Sequence, residues 1–153
     1  MDIGFYLIDA DYSDKCNAII NTLNSMISEH PYDNIILFNN QYNRADNKKF
    51  PIIHLNQAKY FNGVLVVFDI KSVMITKTFI APKKQILYVD DVDWKNDHTI
   101  PMLFWQSIYV NPDISVIAKN QEIFDLLEIC WSKPEGIMEN IDHKEIYDVI
   151  TKV

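Results

Sequence analysis

The chain has 153 residues, 48% of them hydrophobic, which argues against a disordered chain and predicts a single domain over residues 1–153. Its formal net charge of −7 argues against a non-specific nucleic-acid binder, because such proteins neutralise phosphates with lysine and arginine. No apolar stretch is long enough to span a bilayer, so we predict no membrane association and a cytoplasmic location. The many Asn, Ile and Lys residues, with Arg44 as the one arginine, are typical of an AT-rich genome such as a viral one. A viral chain would lie in the host cytoplasm.

Short apolar runs recur along the chain, and the valine-rich runs are typical of strands buried on both faces of a parallel sheet. The segments with strand patterns are residues 3–8, 34–38, 51–55, 64–68, 86–89, 114–118 and 137–138. A helix-period segment closed by Pro82 lies between residues 64–68 and 86–89, which is the arrangement of a β-α-β unit. We therefore predict five or more strands, most of them parallel.

Segments of helical periodicity separate most of these strands. The residues predicted as their N-caps are Ser13, Asp69, Thr99, Asn120 and Asp142. Asp142 and Glu145 have the spacing of a capping box, His30-Pro31 ends the first helix, and residues 57–61 have room for one helical turn. This alternation predicts an open, three-layer α/β sandwich with a mainly parallel sheet of Rossmann or flavodoxin type.

The two cysteines, Cys16 and Cys130, both fall in predicted helices and lack a CxxC or Cys/His spacing. We predict two buried, reduced thiols. The polar segments 39–49 and 95–99 lack apolar periodicity and are predicted loops.

Several functional motifs are absent from the sequence. The three glycines, Gly4, Gly63 and Gly136, lie far apart and outside any glycine-rich phosphate loop, which argues against a stand-alone dinucleotide or NTP enzyme. The histidines lack HExxH or HxH spacing, and no serine lies in a GxSxG context. We therefore predict no zinc site, no α/β-hydrolase nucleophile and no cofactor.

Acidic side chains follow several predicted strands at the point where each strand ends. Because parallel strands end at one edge of a sheet, where folds of this class bind ligands, we expect these side chains to lie along one edge. Asn39, Asn40 and Asp93 follow strands in the same way, and Trp94 either packs in the core or stacks on a sugar or base. We expect solvated or helix-capping carboxylates rather than a tight metal site. The pocket candidates are Asp9, Asp11, Asp69, Asp90, Asp91 and Trp94.

Asp9, Asp11 and Ser13 form a DxDx(S/T) pattern after a predicted strand. The pattern resembles the nucleophile and general-acid motif of haloacid-dehalogenase-type phosphohydrolases, in which Mg²⁺ neutralises carboxylates and a phosphate together. The local alternative is that Asp9 ends a strand and Asp11 or Ser13 caps a helix. The residues that match the later lysine and acidic motifs are Lys83 or Lys84, followed by Asp90 and Asp91.

Four segments from Asn56 onward carry a further resemblance: FNGVLVVFD (61–69), KKQILYVDDVDW (83–94), ISVIAKNQEIFDLLEICW (114–131) and PEGIMENID (134–142). Their order resembles the N-terminal, acceptor-side half of GT-B glycosyltransferases, a family that includes phage DNA glucosyltransferases. In that family the C-terminal domain holds most of the nucleotide-sugar donor. The resemblance implies an acceptor-side domain that works with a separate nucleotide-sugar-binding domain or in a homo-oligomer, or a relative that binds without catalysing. No catalytic residue transfers by motif.

These observations lead to three hypotheses about function. The first is a glycosyltransferase-like domain that binds an acceptor or a partner and has little activity alone. The alternatives are a small Mg²⁺-dependent phosphohydrolase that uses Asp9 and Asp11, and a non-enzymatic protein-interaction module. The sequence therefore admits both an enzyme and a binding protein.

Overall fold

The computed structural model describes residues 1–8, 14–40, 48–97 and 99–152, and strands alternate with helices through these ranges. The strands are β1 (Asp2–Tyr6), β2 (Asn34–Phe38), β3 (Ile52–Ile53), β4 (Val64–Val67), β5 (Lys84–Val89), β6 (Ile114–Ala118) and β7 (Gly136–Ile137). The helices are α1 (Asp14–Glu29), a 3₁₀ helix (Leu55–Tyr60), α2 (Ile70–Thr76), α3 (Asp93–Asn96), α4 (Met102–Tyr109), α5 (Gln121–Cys130) and α6 (His143–Lys152). None of the helices in the described ranges is both long enough and apolar enough to cross a membrane.

Within the described ranges, the seven strands form one sheet in the order β3-β2-β1-β4-β5-β6-β7, and all neighbouring strands are parallel. β1 is central, because Phe5 lies beside Leu37 of β2 on one side and beside Val66 of β4 on the other. The predicted single-domain α/β sandwich of Rossmann or flavodoxin type is confirmed. The sheet is wholly parallel in the described residues, where the sequence predicts a mainly parallel one.

Each central strand contributes side chains to two cores, one on each face of the sheet. On one face, Leu65 and Val67 of β4 belong to the core beneath α2, α4 and α5, together with the almost fully buried Trp105. On the opposite face, Val66 belongs to the core beneath α1 and α6, together with the fully buried Leu23. Burial on both faces explains why the strands read as continuous apolar runs.

The structure confirms two of the predicted N-caps and corrects a third. Asp69 caps α2 by accepting a hydrogen bond from the N–H of Ser72, and Asn120 caps α5 by accepting one from the first turn of that helix. The prediction that Thr99 caps α4 is wrong, because that helix begins after Pro101 and has no side-chain cap. The ring of Pro101 fixes a φ that suits the start of a helix.

The predicted capping box of α6 forms in part. Asp142 accepts a hydrogen bond from the N–H of Glu145 at 3.0 Å, as the spacing predicts. The carboxylate of Glu145 reaches further back than expected and accepts the N–H of Asn140, also at 3.0 Å. Ser13, the predicted cap of α1, lies outside the described residues.

Three further local predictions are corrected. The predicted strand 51–55 is reduced to β3, because the 3₁₀ helix begins directly after it, and the predicted loop 95–99 begins inside α3. Cys16 is buried as predicted, but Cys130 is exposed. Cys130 is the last residue of α5, and the ring of Trp131 that follows it packs against the core instead.

Candidate binding site at the carboxyl edge of the sheet

The strand order reverses between β1 and β4, with β2 and β3 on one side of this pair and β5, β6 and β7 on the other. α1 leads from β1 to β2 over one face, whereas α2 leads from β4 to β5 over the opposite face. Folds of this class bind ligands at such a point.

A small, open depression with an interior volume of about 10 Å³ lies at this edge, beyond the ends of β4 and β5. Four aspartates line it on one side. Asp69, Asp90 and Asp91 are predicted as pocket residues from the sequence, and Asp93 is a further one. Tyr109, the last residue of α4, also lines the depression. The other lining residues are Phe68, Ile70, Leu87, Tyr88 and Val89.

Trp94, also predicted as a pocket residue, is not part of this lining. Its ring packs edge to face against Tyr109, with 5.0 Å between the ring centroids, and against Trp131 at 5.9 Å. Trp94 therefore supports the ring of Tyr109 at the margin of the core. The remaining candidates, Asp9 and Asp11, lie outside the described residues.

The first turn of α2 orients the carboxylate of Asp69. One oxygen accepts the backbone N–H of Ser72 at 2.8 Å, and the other accepts the Ser72 hydroxyl at 2.7 Å. The exposed Asp91 accepts the N–H of Val92 at 2.7 Å. Both carboxylates keep further lone pairs with which they are able to bind a ligand.

Lys15, which sequence reasoning missed, joins the ends of β4 and β5. Its Nζ donates a hydrogen bond to the carbonyl oxygen of Phe68 at 2.6 Å and lies 2.9 Å from the carboxylate of Asp90. The signal that would find it is its position, because the first turn of the helix after β1 lies at the carboxyl edge by topology.

Lys84, which the phosphohydrolase pattern pairs with Asp90, is at the opposite edge of the sheet. It begins β5, whereas Asp90 follows the end of that strand, and six residues of a parallel strand span roughly 16 to 20 Å. The Nζ of Lys84 lies 3.7 Å from a carboxylate oxygen of Glu135. Within the described ranges, the acidic edge is therefore contacted by Lys15 and not by Lys84.

The carboxylate of Asp93 is half-buried at the start of α3. Burial raises the pKa of Asp93 above its ordinary value of 3.8, the charges of Asp91, Asp90 and Asp69 raise it further, and Lys15 lowers it. No described residue forms an ion pair with Asp93. Its negative charge is therefore poorly compensated in the folded protein.

Three tyrosines at this edge, Tyr6, Tyr88 and Tyr109, are each only 2% exposed. Burial raises the pKa of each hydroxyl. The charge of Asp69 raises the pKa of Tyr6 further, as Asp90 does for Tyr88 and Asp93 for Tyr109. The hydroxyls therefore stay protonated at neutral pH and are able to donate hydrogen bonds. The hydroxyl of Tyr109 forms no hydrogen bond with any described residue.

The chemistry of the edge follows from these groups. Carboxylate oxygens supply acceptors and a negative potential, and Tyr109 supplies a hydroxyl, so the depression attracts cations and hydroxyl groups and repels anions. Across the ranges that the structure describes, no three His, Cys, Asp or Glu side chains are grouped so as to hold a metal ion. In comparisons with known proteins, no family model matches the chain and no curated protein shows a significant match.

Proposed function

We propose that this chain is a glycosyltransferase-like domain that binds an acceptor or a partner at the carboxyl edge of its sheet and transfers little sugar alone. The observation that carries the proposal is the depression beside the strand-order reversal, lined by Asp69, Asp91, Asp93 and Tyr109. Carboxylates accept hydrogen bonds from sugar hydroxyls, and a phenol both donates and accepts them. The edge therefore has the groups needed to orient a hydroxyl-bearing acceptor.

The charge of the edge favours an acceptor over a nucleotide-sugar donor. The diphosphate of such a donor is an anion, and Asp69, Asp91 and Asp93 line the depression beside the paired Asp90 and Lys15. These carboxylates repel an anion unless a cation accompanies it. The donor is then held elsewhere, either on a separate nucleotide-sugar-binding domain or on a second copy of the chain.

The order of elements also supports the proposal. β4, α2, β5, β6, α5 and β7 succeed one another in the order that carries the resemblance to the acceptor-side half of GT-B glycosyltransferases. Composition typical of an AT-rich genome supports a phage origin within the same proposal. The protein then acts in the host cytoplasm.

An NMR titration of the ¹⁵N-labelled chain tests this function. Methyl glucoside, a neutral acceptor probe, is expected to shift amide signals around Asp69, Asp91 and Asp93, whereas UDP-glucose is expected neither to bind there nor to be consumed. Asp91→Asn is expected to weaken the sugar response. Asp113→Asn makes the same charge change at an exposed site before β6, on the opposite sheet edge, and serves as the control. Transfer from UDP-glucose by the chain alone would contradict the proposal.

A small Mg²⁺-dependent phosphohydrolase is the second candidate. It is favoured by the pairing of β1, the strand that precedes Asp9 and Asp11 in the sequence, with β4, the strand that precedes Asp69. Hydrolysis of p-nitrophenyl phosphate with Mg²⁺ tests it. Turnover that Asp9→Asn abolishes and Asp113→Asn retains would replace the first proposal. The absence of both phosphatase turnover and sugar binding would favour a protein-interaction module.

A further inference from the structure

We infer that the group recognised at this edge is a protonated amine, which binds beside Asp91, Asp93 and the hydroxyl of Tyr109. The inference rests on the proposed binding function and names the chemical class of its ligand. The acceptor or partner then carries an ammonium group, as an amino sugar or a lysine side chain does.

The edge already binds one ammonium group, that of Lys15. The carbonyl oxygen of Phe68 accepts its hydrogen bond at 2.6 Å, and the carboxylate of Asp90 pairs with it at 2.9 Å. Charged hydrogen bonds of this kind are about twice as strong as neutral ones. The edge therefore has acceptors suited to a primary ammonium group, and Asp91 and Asp93 extend the same acidic wall.

Beside the ion pair of Lys15 and Asp90, the carboxylates of Asp91 and Asp93 have no cation as a direct partner among the described residues. Asp91 and Asp93 form no ion pair there, and burial of Asp93 together with repulsion from Asp91 opposes the charged form of that carboxyl, an effect that Lys15 offsets only in part. A cation placed beside them offsets this repulsion. A neutral hydroxyl does not, so an ammonium group gains more free energy at this position.

Tyr109 is a second, independent indication of a ligand. The residue is 2% exposed and lines the depression, and its hydroxyl oxygen, which is not fully buried, has no hydrogen-bond partner among the described residues. The oxygen of such a hydroxyl is able to accept a hydrogen bond from an ammonium group. Trp94 and Trp131 pack against the ring, so little side-chain entropy is lost when a ligand binds.

Two probes that differ by one group test the inference on the full chain. Methyl glucosaminide carries an ammonium group at about pH 6.5, where methyl glucoside carries a hydroxyl. Calorimetric titration is expected to show about tenfold tighter binding of the glucosaminide, the gain typical of one charged hydrogen bond. The preference is expected to shrink in about 0.5 M NaCl, which screens the carboxylates. Nα-acetyl-lysine methylamide, as a third probe, distinguishes a protein lysine from an amino sugar as the source of the amine.

Substitutions test whether Asp93 and Tyr109 bind the ammonium group. Asp93→Asn and Tyr109→Phe are each expected to weaken glucosaminide binding about tenfold, whereas Asp113→Asn is expected to leave it unchanged. Equal binding of the two sugars by the wild-type chain overturns the ammonium inference and leaves the acceptor proposal in place. Binding of the lysine probe alone supports the inference with a partner protein as the source. Binding of none of the three probes overturns both proposals.

Discussion

Four aspartates at one edge of the sheet have different environments, and the environment decides what each carboxylate does. Asp69 caps a helix, Asp90 pairs with Lys15, and Asp91 is exposed. Asp93 is half-buried without an ion-pair partner among the described residues, and burial and the neighbouring carboxylates raise its pKa. Its charged form therefore weakens the folded state at neutral pH, a cost that a cationic ligand would offset.

Asp93→Asn is expected to stabilise the protein at about pH 7, by no more than about 1 kcal/mol, because solvent screens a half-exposed carboxylate. The folded-state pKa lies above the ordinary value of 3.8, so the folded protein binds the proton more readily than the unfolded chain. The penalty is absent below pH 3.8, grows as the pH rises toward the folded-state pKa, and is constant above it. Urea unfolding of both proteins across this range measures the difference. A stability gain that persists unchanged in acid would contradict the electrostatic cause.

The role of Asp69 as a cap leads to a prediction with a matched pair of variants. Asp69→Ala is expected to lower the free energy of unfolding by about 1 kcal/mol, because the N–H of Ser72 loses its acceptor. Asp69→Asn is expected to change it little, since asparagine caps helices about as well as aspartate. Urea denaturation midpoints of the two variants measure the difference. Equal losses in both would show that the charge, not the cap, stabilises this turn.

At the scale of elements, α1 and α6 form one layer although they are far apart in the chain. The hydroxyl of Thr22 in α1 donates to the carbonyl of Ile141, just before α6, at 2.6 Å across 119 residues of sequence. The ring of His30 after α1 stacks on Tyr147 of α6, with 3.8 Å between centroids. α6 thus returns from the far edge of the sheet and adds Ile146 to the core that α1 begins.

Close approach of β1 and β4 at Gly63 leads to a prediction about strand packing. A Cβ at this position would lie 2.4 Å from the carbonyl oxygen of Asp2, a backbone atom that moves only if β1 moves. Gly63→Ala is therefore expected to lower the free energy of unfolding by about 1–3 kcal/mol. Gly136→Ala is the control, because its Cβ would meet Ile117 at 3.9 Å, an ordinary contact. Chemical denaturation of the two variants checks this, and equal midpoints would refute the steric cause.

At the scale of the whole molecule, one parallel sheet separates two cores. The reactivity of the two cysteine thiols measures whether this fold is closed or open. Cys16 in α1 is 6% exposed, whereas Cys130 at the end of α5 is exposed. A buried thiol reacts with a reagent only when the protein opens locally or globally. The two thiols therefore distinguish surface reactivity from opening of the fold.

Labelling with Ellman's reagent is expected to show one thiol that reacts at once in the native protein and a second that reacts only on opening. Cys130→Ser is expected to remove the fast phase and leave the slow one, because Cys16 stays buried. Stopped-flow absorbance measures both phases with and without urea. Two fast thiols in the native protein would contradict the packing of α1 on the sheet.

The sequence by itself determined the elements and part of the site. The caps Asp69 and Asn120 were predictable because each contact lies within one helical turn, and the apolar runs indicated strands buried on both faces. Parallel strands end at the same edge, so the grouping of Asp69, Asp90 and Asp91 followed from the predicted fold class.

Only the tertiary structure decided the strand order, the bridge from Lys15 and the lining by Tyr109. The contact of Lys15 with Phe68 spans 53 residues, and local periodicity carries no information about a pair so far apart. Tyr109 is a buried residue of α4, and it lines the depression together with the carboxylates because α4 packs against β6. The reason is the same in both cases. Contacts within one turn depend on neighbouring residues, whereas contacts between elements depend on how the whole chain packs.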